Sequence, residues 1–137
     1  LLLGRSLYIG HVGDTRAYLI GPAGMHQLTA DHSAVGRLIE MGQLDPAESR
    51  EHPLRSQLYR TVGQHAEVAV DLVFQPIGDA THLLLASDGL WGCIEDEQLA
   101  RTVLHIDSPH RAVRALVDLA NRAGGHDNIS AVLVKLA

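Results

Sequence analysis

One cysteine, Cys93, stands in a chain of 137 residues. That excludes an internal disulfide framework and fits a reducing compartment, so the expected setting is cytoplasmic. Long apolar runs are missing, none approaching the roughly 20 residues that span a bilayer, and no membrane contact is expected from this segment. Basic clusters are missing as well. The net charge is −5 with lysine and arginine dispersed, which argues against a nucleic-acid-binding face. No repeats, low-complexity tracts or linkers interrupt the text. The opening, "LLLGRSLYIGHVG", has no initiating methionine, basic leader or cleavage signal. It reads as the inside of a strand region already under way, and the expectation is a fragment of something longer.

What is present suits one ordinary globular domain: 46% of residues are hydrophobic and 20% charged. A chain of this size buries roughly two-thirds of its unfolded surface. Residues 7–11, 17–20 and 25–28 read as three strands joined by the turns "GDTR" and "GPAG". "SAVGRLIEM" (33–41) has helical spacing with Ser33 as N-cap, and 42–53 reads as an exposed loop or short helix. Residues 67–74 alternate as a half-buried strand with Val68, Val70, Leu72 and Phe74 on one face. Leu83–Ala86 does not alternate, so a strand covered on both faces is expected. Helices follow at 95–105 and from Pro109, the latter with a stripe of Val113, Leu116, Val117 and Ala120 ended by Gly124-Gly125. "ISAVLVKL" closes the chain as a core strand. This order predicts an α+β fold, helices packed on mostly antiparallel sheet.

Three short motifs share a design in which an aspartate stands where a strand meets a turn: "VGDTR" (Asp14), "ASDGLW" (Asp88) and "GGHDNIS" (Asp127). Strand ends aim side chains into clefts. Carboxylate oxygens without clustered His or Cys suit hard cations such as Mg²⁺ or Mn²⁺ rather than zinc. Taken singly, each pair is explained by an Asx turn. Asp88 has the stronger claim, because the buried strand feeding it delivers a carboxylate that must reach water, a cation or strong donors.

Together, "VGDTRAYL", "LTADHS", "HPLRSQLYRTVG", "LLLASDGLW" and "GGHDNISAVLVKL" resemble the metal-dependent protein serine/threonine phosphatases of type 2C (PPM type), with a bacterial look, in that family's order and over nearly the whole chain. The resemblance implies an α-β-β-α sandwich of which residues 1–137 are the C-terminal part of a single catalytic domain. It implies hydrolysis of phosphoserine and phosphothreonine by a water bridging two Mg²⁺ or Mn²⁺ ions, without a phospho-enzyme. Asp88 and Asp127 match ligands of the paired ions, and Asp14 matches a ligand of a third, weaker site. Thr15 replaces the usual serine of "GDSR", and Gly92 falls where some members carry a further acid. Residues 42–53 match the flap beside the active site. The implied partners are phosphoproteins, those of a Ser/Thr kinase. The family's upstream Asp-Gly motif, which supplies a bridging carboxylate, and its phosphate-binding arginine have no counterpart here. The isolated fragment is therefore expected to be inactive, the competing reading being a regulatory or phosphoprotein-binding relative without turnover. A branch of sporulation-type phosphatases acting on anti-sigma-factor antagonists is a neighbouring enzymatic reading.

The remaining candidates have plainer roles. His126 adjoins Asp127 and can reach the site, although the favoured reading is a solvated loop histidine. Arg55 and Arg60, after His52-Pro53, can face phosphate, but anchoring of helix and flap is the favoured role. Trp91 and Cys93 are expected in the core. Ser87 lacks a nucleophile elbow and is expected to hydrogen-bond beside the site.

Overall fold

A computed structural model describes residues 1–136. Strand β1 (Leu2–Leu3), β2 (Ser6–His11) and β5 (Asp71–Pro76) form a three-stranded sheet in the order β1-β2-β5. Strands β4 (Gly24–Gln27), β3 (Arg16–Gly21), β6 (His82–Ala86) and β7 (Ala131–Lys135) form a four-stranded sheet in that order. Every pairing is antiparallel. Helices α1 (Ala34–Glu40), α2 (Asp88–Trp91), α3 (Asp96–His105) and α4 (Pro109–Arg122) complete the fold, with a 3₁₀ turn at Pro46–Glu51.

Apolar patterning places the layers. On β3 and β6, Tyr18, Ile20, Leu84 and Ala86 point to one side and meet Leu99 and Val103 of α3 and Leu116 and Ala120 of α4. Each such fully buried large side chain contributes roughly 1.5–3 kcal/mol, so this is the main core. On the other side, Leu19 and Leu83 meet Leu7 of β2 and Ile77 in a smaller core between the sheets. The layers thus run helices, four-stranded sheet, three-stranded sheet, as the α+β expectation required.

Three expectations need correction. The strand expected over residues 67–74 begins only at Asp71, with 67–70 outside any strand, and its apolar face points away from the core: Leu72 and Phe74 are 83% and 58% exposed. Phe74 rests against Tyr8 across the strand pair, with ring centroids 5.1 Å apart, and no described element lies over them. In β6, Leu84 and Ala86 are buried, but Leu85 is exposed. β7 is an edge strand with Val132 and Val134 exposed rather than a core strand. Elsewhere the local signals hold. Ser33 caps α1 by accepting from the Gly36 N–H at 3.0 Å, and Ser108 caps α4 before Pro109. The buried stripe of α4 runs Ala112, Leu116, Ala120, one edge of the predicted face.

Candidate metal centre

The "GDTR" turn joins β2 to β3 and so crosses from one sheet to the other. Gly13 sits at φ +105°, a conformation that disfavours any side chain, and its N–H donates to buried His32 Nδ1 at 3.0 Å. Because Nδ1 accepts, Nε2 carries the proton and donates to Asp71 Oδ2 at 3.0 Å. Arg60 pairs with the other oxygen of Asp71. The approach of Arg60 Nη1 to His32 Nε2 therefore brings two donors together, joined through the shared carboxylate. Arg60 anchors; it does not face the site.

Asp88 opens α2 at the end of β6, and Asp127 lies in the turn before β7, the neighbouring strand. Ser87 stitches these segments: its hydroxyl donates to the Asn128 carbonyl at 3.2 Å and accepts from the Ser130 N–H at 3.0 Å. That is the role expected of it, and its occupied hydroxyl is no nucleophile. Asp88 Oδ1 accepts from the Gly89 N–H at 2.9 Å, and Asp127 Oδ1 accepts from the Asn128 N–H at 2.6 Å. Both contacts go to the very next N–H, one residue short of the Asx turn that the sequence suggested. Each carboxylate keeps its second oxygen without a hydrogen bond among the described residues, and so open to a cation.

Asp14, Asp88 and Asp127 all line one cleft of ≈ 340 Å³. Ser49 and Arg50 of the flap, Arg55 just after it, and His126 line the same cleft. The Asp14 carboxyl is pushed above its ordinary value, first by burial and next by the charges of Asp88 and Asp31. A carboxyl crowded in this way by neighbouring negative charge belongs to a donor set that a hard cation would relieve. The residues fit Mg²⁺ or Mn²⁺ in kind. In number they fall short: among the described residues no group of three or more His, Cys, Asp or Glu is arranged to hold a metal ion.

Several neighbours of the site were illegible as such. Trp91 and Cys93 pack against the main core as expected, but they are half-buried and also line the cleft. Trp91 donates its Nε1–H to the Asp14 carbonyl at 3.0 Å, and the Arg16 guanidinium lies 3.6 Å over its ring. Arg16 in turn forks onto Asp31, Nη2 to Oδ2 at 2.7 Å and Nε to Oδ1 at 3.0 Å. Arg50 reaches from the flap to Glu95 and Asp96 at 3.0 and 3.2 Å. Nothing in the sequence spacing announces these contacts, which join segments far apart in the chain.

Comparison with known proteins fits this arrangement. The family described as Protein phosphatase 2C matches residues 71–129, the span from β5 through Asp88 and Asp127. The chain is 39% identical over 127 residues to protein phosphatase PhpP of Streptococcus pneumoniae, covering 92% of this chain and 51% of that protein. It belongs to the protein phosphatase 2C family. Among solved members, serine/threonine phosphatase Stp1 from Staphylococcus aureus superposes with a TM-score of 0.96 at 31% identity, covering 100% of this chain and 54% of that one. The catalytic domain of the serine/threonine protein phosphatase PstP, solved in complex with two manganese ions, gives a TM-score of 0.83 at 31% identity over 97% of this chain and 54% of that one. This type 2C chain therefore spans about half the length of the relatives it matches.

Proposed function

We propose that the chain forms part of a metal-dependent phosphatase that hydrolyses phosphoserine and phosphothreonine in proteins. The observation that carries this reading is the meeting of Asp14, Asp88 and Asp127 in one cleft, from three turns that no local sequence relation connects. Asp88 and Asp127 would hold the paired Mg²⁺ or Mn²⁺ ions together with ligands from outside this chain, and Asp14 a third. When bound, such ions supply Lewis acidity to a water and to the phosphoryl oxygens. This chain's own part is to orient the three carboxylates, to keep Ser87 out of the chemistry through its two hydrogen bonds, and to wall the cleft with the flap. The substrates in this reading are phosphoproteins made by a Ser/Thr kinase, and the setting is the cytoplasm; among the described residues no helix is long and apolar enough to cross a membrane.

A second reading, a phosphoprotein-binding relative without turnover, draws support from the incomplete donor set. A chimera decides between them. The part of the pneumococcal relative that this chain does not match is joined before Leu1, where the resemblance puts the Asp-Gly motif. Mn²⁺-dependent hydrolysis of a phosphothreonine peptide is expected, falling by orders of magnitude in Asp88→Asn and Asp127→Asn. Near-normal turnover in Asp88→Asn removes that residue from the centre, and a folded chimera that binds phosphopeptide without cleaving it establishes the second reading. The isolated chain should bind at most one Mn²⁺, weakly, and turn nothing over.

A further inference from the structure

Arg16 lines the cleft beside Asp14 and Asp88, and a cleft arginine in a phosphatase invites the role of phosphate binder. The geometry favours a different role. Nε and Nη2 are committed to Asp31 and Nη1 to the Tyr18 hydroxyl at 3.4 Å, while the Trp91 ring covers one face of the guanidinium. Its side chain and that of Asp31 are 13% and 8% exposed. Three of its five N–H groups are thus committed, the group is largely buried, and its charge is already matched by Asp31.

Pairing of Arg16 with Ala86 brings β3 and β6 together, but Asp14 and Asp88 both lie beyond the paired residues, and those contacts join the segments there. Trp91 stands one helical turn after Asp88 on α2, and its indole N–H grips the backbone carbonyl of Asp14. Arg16, two residues beyond Asp14, is pressed on the same indole ring. Asp31 holds Arg16 from the far side, and the next residue, His32, grips Gly13 on the other flank of Asp14. The Asp14 turn is thus pinned before and after its carboxylate, and its distance from α2 is set by a rigid aromatic spacer. Such a restraint is needed because Asp14 and Asp88 are like charges that would otherwise spread apart.

We propose that Arg16 and Trp91 are positioning residues, a splint that fixes the Asp14 carboxylate relative to Asp88 so that the two face a common cation. The inference rests on the phosphatase reading and deepens it. Lysine cannot replace Arg16 here, since it keeps the charge but loses the fork and the flat stacking face.

The chain's single tryptophan supplies the measurement, because the indole N–H of Trp91 gives one isolated proton resonance beside Asp14. Mn²⁺ added to the full chain is expected to broaden that resonance saturably, with Mg²⁺ competing. In Arg16→Lys the Mn²⁺ midpoint should rise by roughly tenfold or more, as for other residues that orient metal ligands. In Trp91→Phe, which keeps the ring but not the donor, free Mn²⁺ followed by electron paramagnetic resonance should show a loss of similar size. The double variant should be little worse than either single one, because both act through one splint. In the chimera, the KM for Mn²⁺ should rise while kcat at saturating Mn²⁺ changes little. If Arg16→Lys does not fold, Trp91→Phe decides. Unchanged Mn²⁺ affinity in a folded Trp91→Phe variant, or affinity recovered once each variant is measured well below its melting midpoint, overturns the splint and leaves the phosphatase reading standing. Absence of saturable broadening in the unmodified chain overturns both the metal reading of Asp14 and this inference.

Discussion

Gly89 and Asn128 pack backbone to backbone: a Cβ at Gly89 would collide with the Asn128 carbonyl oxygen. The residue after Asp88 thus packs against the residue after Asp127, and the contact sets how near the two carboxylates come. Gly89→Ala should force the segments apart and cost about 1–3 kcal/mol, the usual range for overpacking. Denaturant unfolding of the variant checks the cost. A neutral substitution would show that the turn before β7 yields freely, and that its contact with α2 does not set the geometry of the cleft.

The flap offers a second test. Arg50 bridges it to Glu95 and Asp96 at the start of α3, acids that are 76% and 53% exposed. Exposed pairs of this kind contribute roughly 0–1 kcal/mol and weaken with salt. Arg50→Gln should therefore barely move the melting temperature, yet free the flap. In an active chimera, this change, or replacement of Gln43–Arg50 by a Gly/Ser loop, should alter preference among phosphopeptides and make it less salt-dependent. Hydrolysis of a small aryl phosphate should change much less, because that substrate needs no flap. Equal loss of both activities would make the segment a support rather than a selector.

Acid should loosen the other flank of Asp14. Hydrogen bonds from His32 and then Arg60 hold the Asp71 carboxyl below its ordinary value of 3.8. A carboxylate whose folded-state pKa is depressed stabilises the fold above the unfolded-state pKa, and that stability is lost as pH falls through the folded value. Asp71 is 45% exposed at its side chain, so solvent keeps the effect small. Urea midpoints taken from about pH 5 down to about pH 3 should fall less steeply in Asp71→Asn than in the unmodified chain. Identical slopes would mean that the His32–Asp71–Arg60 contacts do not favour the charged form.

Much of this was legible in the text of the chain because it depends on local chemistry. Ser33 and Ser108 announce their helices by capping, and the apolar run before Ser87-Asp88 announces a strand that delivers a carboxylate to an edge. Layering was less legible. Alternation in residues 67–74 tells neither where the strand starts, which is Asp71, nor which face is covered, and Leu72 and Phe74 lie on the open one. Trp91 was illegible for a different reason. A tryptophan after a metal motif looks the same whether it fills a core or spaces two loops, and only the positions of Asp14 and Arg16 distinguish these.

The pairing of β6 has a kinetic consequence. Ala86, beside Asp88, is matched with Arg16 on one side and Ala131 on the other, so the three aspartates converge through strands that lie far apart along the chain. Closing such long loops costs entropy before any contact rewards it, and folds built on non-local pairings form slowly. α3 and α4 can take shape from nearby residues, whereas the cleft exists only after β3, β6 and β7 have found one another. The acidic centre is then the late-assembling part of the molecule, and fraying of β7, its exposed edge strand, dissolves it while the helices persist.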